Sequence, residues 1–305
     1  MVAEHTSADA SPNSRTGTVE QDSEEHFIRL LDVFNPMKNR LNWLLLAIPL
    51  TLYFDYVTHS LQMAFMFSML AIAPLAFLMG KATEEIALRT GEAVGGLLNA
   101  TFGNAVEMII AGMALYAASQ NPALVDTMVT VTQASLIGSI LGNLLLVLGL
   151  AMLYGGIKHS EQTFANQTGQ MNGVLLVLAM VALIVPSAFH HGGGTSDAVL
   201  NLSYATAFIL LFIYGCSLLF QLKTHVDEFA SEGGHGGHEH PELKIRDAWI
   251  LLLSATALVG WMAHVLVHSL ESTVEAWHLP ELFIGVILVP FFGNAAEHFT
   301  AVIVA

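Results

Sequence analysis

Eight apolar runs divide this chain, each long enough to cross the ~30 Å hydrocarbon core of a bilayer as a helix. They cover about 41–57, 61–80, 93–118, 128–154, 171–189, 199–222, 248–269 and 281–305. Each is apolar around its full circumference, unlike the surface helices of soluble proteins. The short alternating segments of a membrane β-barrel are absent. The first two runs are joined only by a turn at Thr58–Ser60, which predicts a helical hairpin. The sequence thus predicts an all-α, polytopic transmembrane helix bundle. Only 11% of its 305 residues are charged, against about a quarter in a soluble domain.

The few charges are sorted. All ten Lys and Arg fall on the N-terminal side of the eight runs, and the opposite loops near 58–60, 119–127, 190–198 and 270–280 hold none. Positive charge marks the cytoplasmic side, so the N-terminus is expected there. The net charge of −15 comes largely from segments outside the runs. Residues 1–35 form an acidic, polar tail expected to be disordered, without the basic start and apolar core of a signal peptide. Residues 223–247 form a second polar segment on the same side, acidic and rich in glycine and histidine, with His235, His238 and His240. Its histidines and carboxylates suit a cation-collecting loop, and its glycines suit a plain solvated linker. Cys216, the single cysteine, is expected to be a small helix-packing residue, and no disulfide framework exists.

Of 25 acidic residues, only Glu107 and Glu297 lie well inside apolar runs. A carboxylate at membrane depth costs at least about 2.5–3.5 kcal/mol, so it is kept for function or for pairing. Each closes the same string. Phe102-Gly103-Asn104-Ala105-Val106-Glu107 and Phe292-Gly293-Asn294-Ala295-Ala296-Glu297 share five of six identities, 190 residues apart. Four runs separate the copies, so they point in opposite directions through the membrane. Such inversion places a substrate site where two halves meet near the midplane.

Asn and Glu three residues apart share one helix face, so each copy offers an amide and a carboxylate together. Gly103 and Gly293 loosen the backbone beside them, as does Pro290, and freed carbonyls there can line a cavity. Every group on offer is oxygen, which suits a hard cation better than zinc or copper. Two carboxylates are neutralised by one divalent cation or by two protons. The two compete, because burial favours the protonated form of a carboxylate and a cation the charged form.

His298 lies about 100° round the helix from Glu297, as a packing residue or as a modulator of that carboxylate. His264 and His268, four apart, make only a weak metal signal, and no His-Glu-x-x-His motif supports a metalloprotease.

Three stretches carry a family resemblance: Gly95 to Glu107, Ala134 to Asn143 and Pro290 to His298. From about residue 36 onward the chain resembles the calcium/proton exchangers of the cation/calcium exchanger superfamily. The resemblance implies an inverted-repeat antiporter fold, with a first span outside the repeat and two inverted five-helix halves. It divides the chain into the tail at 1–35, the first span and repeat at 36–222, the loop at 223–247 and the start of a second repeat at 248–305. It implies that Asn104, Glu107, Asn294 and Glu297 bind the cation, with Gly103 and Gly293 beside them and Ser139 on the neighbouring helix. Glu84 and Glu85 would stand at the cytosolic mouth. The chain departs from the pattern at Gly142, where serine is usual, and it stops inside the eighth run, where the family has three further spans.

The expected function is calcium/proton antiport, exporting cytosolic Ca2+ against H+, with no enzyme activity and no cofactor. Ca2+ and H+ are expected as substrates and the bilayer as host, with no nucleic acid partner and homo-oligomerisation left open. A multi-pass place in a prokaryotic cell membrane or a eukaryotic vacuolar membrane follows. Exchange of Na+, Mg2+ or Mn2+, or a non-transporting cation sensor, are the alternatives.

Overall fold

The computed structural model describes residues 33–37, 39–162, 166–224 and 241–304, and among them there are helices and no strand. The acidic tail up to residue 32 and the histidine-rich stretch 225–240 lie outside the described residues. We number the helices α1 (40–57), α2 (Leu61–Thr90), α3 (Glu92–Phe102), α4 (Ala105–Gln120) and α5 (Pro122–Lys158). There follow α6 (Asn166–His191), α7 (Ser196–Thr224), α8 (Ile245–Trp277), α9 (Glu281–Gly293) and α10 (Ala295–Val304).

Among the described residues all eight apolar runs are helical, and five helices are long and apolar enough to cross a membrane unbroken. The third and eighth runs differ from uniform spans. Each is cut in two, at Gly103–Asn104 and at Asn294. The sequence cause is the same at both places, a flexible glycine followed by an asparagine, a residue that readily leaves helical geometry. The first run also departs from a plain span, starting as a tight 3-10 helix at Arg40–Leu46 and ending in a π-helical turn at Tyr53–Val57.

The frame is the antiparallel pair α2 and α8. These are the longest unbroken α-helices, of 30 and 33 residues, so each extends about 45–50 Å. Their facing sides are apolar and often small, with Ala64, Ala71, Ala82, Ala248, Ala255 and Ala263 all buried. Small residues let helix backbones approach where lipid removes the usual hydrophobic drive between helices. Polar contacts fix the register at both ends. Gln62 donates to Ser272 at one end, and Lys81 pairs with Glu242 at 3.1 Å at the other. α1 lies along α2 as the expected hairpin partner.

α5 and α9 run side by side in the same direction. Thr127 near the start of α5 donates to Glu281 at the start of α9, and the contacts then advance together along both helices. A Cβ added at Gly285 would stand 2.5 Å from Ala134 Cβ, and one at Gly138 only 2.7 Å from Pro290 Cγ and against the Val286 backbone. Two glycines thus let the helices meet backbone to backbone. α4 turns back into α5 through Asn121 alone, so it runs opposite to α5 and α9. α6 and α7 pair with each other and touch the rest mainly where Leu222 fills the space over Gly96. Their outer faces carry Val174, Val181, Phe208, Leu211 and Phe212, an apolar surface suited to lipid. Cys216 is exposed on α7, not packed between helices as the sequence suggested, since little besides α6 covers α7 among the described helices.

The glycine crossing makes a signed prediction. Gly138→Ala should cost about 1–3 kcal/mol through overpacking against Val286 and Pro290. Gly149→Ala, on the same helix with open space around it, should be neutral or stabilising by up to roughly 1 kcal/mol. Thermal denaturation of both variants in detergent checks this, and equal shifts would refute the close α5–α9 contact.

Candidate functional site

Asn104 and Asn294 occupy the two helix breaks with nearly the same backbone, φ −105° and ψ 12° in the first, φ −95° and ψ 12° in the second. This is the sparsely populated bridge between helix and strand regions. Each asparagine carbonyl then accepts the amide four residues on, Met108 at 3.2 Å and His298 at 2.9 Å, and a new helix starts. Glu107 and Glu297 each become the third residue of that helix. The first turn of a helix carries unpaired amides and the positive end of its dipole, which favours a carboxylate.

The two breaks meet. A Cβ on Gly293 would lie 3.9 Å from Val106 Cγ1, so the second motif sits against the first. α9 follows α5 in direction and α4 opposes it, so the motifs arrive from opposite ends of the bundle, as the inverted repeat requires. The two carboxylates are close enough for their charges to interact. The Asn143 amide reaches Glu297 from α5. It does so from a π-helical turn, Gly142–Val147, where one extra residue per turn shifts the register of the side chains.

Buried polar atoms in proteins nearly always have partners, and an unpaired one costs roughly 1–3 kcal/mol. Among the described residues seven buried side-chain atoms lack one, and six of these lie on the elements that converge here. They are both carboxylate oxygens of Glu107, Ser139 Oγ, Thr132 Oγ1, Asn294 Nδ2 and His298 Nε2. Glu107 is 6% exposed and Asn294 2%. The two Glu107 oxygens and Ser139 Oγ are the donor type that a hard cation coordinates, whereas Asn294 Nδ2 is a hydrogen-bond donor and Thr132 lies two turns further along α5.

The remaining expected residues are placed as follows. Gly103 and Gly293 stand at the breaks, and Asn104 is exposed at the surface end of its break. The His298 ring lies 6.1 Å from that of Phe291. Glu84 is exposed. Glu85 is buried, and its carboxylate accepts the amides of Glu242 at 3.3 Å and Leu243 at 3.0 Å. Lys81, Glu85 and Arg89, four apart on α2, all hold this same segment. Lys81 pairs with Glu242 and the Arg89 guanidinium donates to the Leu243 carbonyl. His264 and His268 stack at 6.4 Å, with His268 3.7 Å from Asp55, and no group of three metal-binding side chains forms among the described residues.

Sequence reasoning did not single out Asn143 or Thr132. Asn143 closes the Gly-Ser-x-Leu-x-Asn stretch and could have been found there. Thr132 gave no signal beyond a hydroxyl in an apolar run.

An all-helical bundle of membrane-length apolar helices with two opposed, interrupted helices is the architecture of an inverted-repeat ion transporter. The sequence pattern described as sodium/calcium exchanger protein matches residues 60–223 and 247–305, and the chain belongs to that family. It is 42% identical to a Ca(2+)/H(+) antiporter of Aphanothece halophytica, covering 86% of this chain and 72% of that protein. It is 38% identical to the Ca(2+)/H(+) antiporter ChaA of Bacillus subtilis, covering 88% and 75%. The vacuolar calcium ion transporter of Schizosaccharomyces pombe is 34% identical over 88% of this chain and 64% of its own length. The fold matches the solved structure of native YfkE with a TM-score of 0.69 at 35% identity, covering 86% of this chain and 72% of that one. The chain is an integral membrane protein.

Proposed function

We propose that this chain exchanges calcium for protons across its membrane, with Glu107 and Glu297 as the groups that both ions seek. The observation that carries this is the meeting of the two Phe-Gly-Asn-Ala-x-Glu motifs, with Glu107 buried and neither of its oxygens bonded to another residue. The relatives known as calcium/proton antiporters, at 38–42% identity, point the same way.

The chemistry follows from charge balance. Two carboxylates in an apolar bundle repel each other strongly if both are charged and uncompensated. A calcium ion between them removes that repulsion, and so do protons. Either cargo makes the pair neutral enough to be carried through a change of access, and the pair without cargo is the costly state. Asn104, Asn294, Ser139 and Asn143 add neutral oxygens, which calcium needs to make up six to eight ligands. Because protons and calcium compete, apparent calcium affinity falls as the pH on the loading side falls.

Glu107→Gln and Glu297→Gln keep the volume and remove the ionisable group. Each should reduce proton-driven calcium uptake by membrane vesicles to background, with the protein still inserted and present at wild-type level. Near-normal uptake by either variant would contradict the paired-carboxylate mechanism. Sodium, magnesium or manganese fluxes in the same vesicles, measured in parallel, test the choice of calcium.

The orientation belongs to the same proposal. Lys81, Arg89, Lys244 and Arg246 gather at one end of the α2–α8 pair, and positive charge favours the cytoplasm. On this reading the N-terminus and the loop 223–247 lie on the cytoplasmic side. A single cysteine introduced by His235→Cys in a Cys216→Ala background should resist an impermeant thiol reagent in intact cells and react after permeabilisation. Labelling without permeabilisation would overturn this orientation.

A further inference from the structure

Thr132 on α5 carries a hydroxyl that the exchange chemistry above does not use. The residue is 7% exposed, and its Oγ1 has no hydrogen-bond partner. A threonine inside a helix has a ready acceptor in the carbonyl four residues back. Thr51, Thr83, Thr256 and Thr273 all take that bond, at 2.8, 3.1, 2.7 and 2.7 Å. Thr132 does not. Its hydroxyl is buried, yet withheld from the partner that its own helix offers.

Its position gives the hydroxyl a use. Thr132 lies seven residues before Ser139, two turns along the same face and about 10 Å away, and the Ser139 hydroxyl is likewise unpartnered. Through this stretch the neighbours of α5 are α4 and α9. Val131, Ala134 and Gly138 make the contacts with α9. The stripe containing Thr132 and Ser139 is turned about 100° from that face, and α4, the helix that carries Glu107, is the other helix packed on this part of α5. α5 starts at Pro122, the end opposite the positively charged end of the bundle, so Thr132 stands between the carboxylates and the face opposite the N-terminus.

A cation leaving two carboxylates must exchange protein oxygens for water oxygens step by step, since an apolar step would strip it of ligands. A hydroxyl is a neutral oxygen ligand and can equally hold a water that accompanies the ion. Resting on the exchange reading, we propose that the Thr132 hydroxyl is the next protein oxygen met by a partly hydrated calcium ion between the carboxylate pair and the face opposite the N-terminus. It sets calcium affinity on that face, and the cytosolic side reaches the carboxylates without it.

The test uses the full chain in sealed vesicles, with calcium presented to one face at a time. Thr132→Val keeps the shape and removes the hydroxyl, and Thr132→Ser keeps the hydroxyl and removes the methyl. Thr132→Val should raise the half-saturating calcium concentration on the face opposite the N-terminus by roughly three- to tenfold, the factor one neutral contact supplies. Half-saturation on the other face and the maximal rate should stay at the wild-type value, and Thr132→Ser should restore both faces. Wild-type behaviour of Thr132→Val on both faces would overturn the assignment. So would equal impairment in both variants, or loss of maximal rate from both faces, which would mark a packing role. Absence of calcium exchange by the unaltered chain is a separate result, and it would remove the exchange reading together with this proposal.

Discussion

A carboxylate buried among helices in lipid has to be neutralised, and at Glu107 the protein supplies no hydrogen-bond partner from another residue. The rest of the molecule is arranged around that constraint. The surrounding helices do not relieve the charge. On the proposed reading, they hold it beside the second carboxylate and leave the relief to an ion. A membrane protein that wanted only stability would pair such a group or omit it, since an unpaired charge at this depth is among the costliest features a bundle can carry.

Two devices hold the arrangement. The first is the interrupted helix, used twice with nearly the same asparagine backbone, which ends one helix and begins another. The free amides and dipole of each new first turn favour the carboxylate placed there. The second is the close crossing of α5 and α9, where Gly138 and Gly285 remove the side chains that would hold the helices apart. That approach carries the second motif against the first. The long α2–α8 pair supplies the frame, and Lys81, Glu85 and Arg89 fasten the segment that leads into α8.

Much of this was legible in the sequence, because membrane solvation writes strong local patterns. The apolar runs, the sorted positive charges and the repeated motif each follow from lengths and identities along the chain. The inverted approach of Glu107 and Glu297 followed from counting the runs between them. What stayed hidden depends on pairing between distant residues. At Glu85 the sequence did not show the bonding: partners 157 and 158 residues away make it a clasp on Glu242 and Leu243. Asn143 faces Glu297 through a π-helical turn that no residue preference announces. Thr132 stands out only because its hydroxyl omits a bond that other threonines of the chain make. The helix breaks lay between these cases: glycine suggested a weakness, and the geometry showed a full stop.

Proton release on calcium binding tests the central claim most directly. In purified, detergent-solubilised protein in weak buffer, calcium addition should expel between about one and two protons per ion bound, since both ions occupy the same carboxylates. The release should vanish in the Glu107→Gln, Glu297→Gln double variant. Calcium binding without proton release, or the same release from the double variant, would contradict a shared site at Glu107 and Glu297.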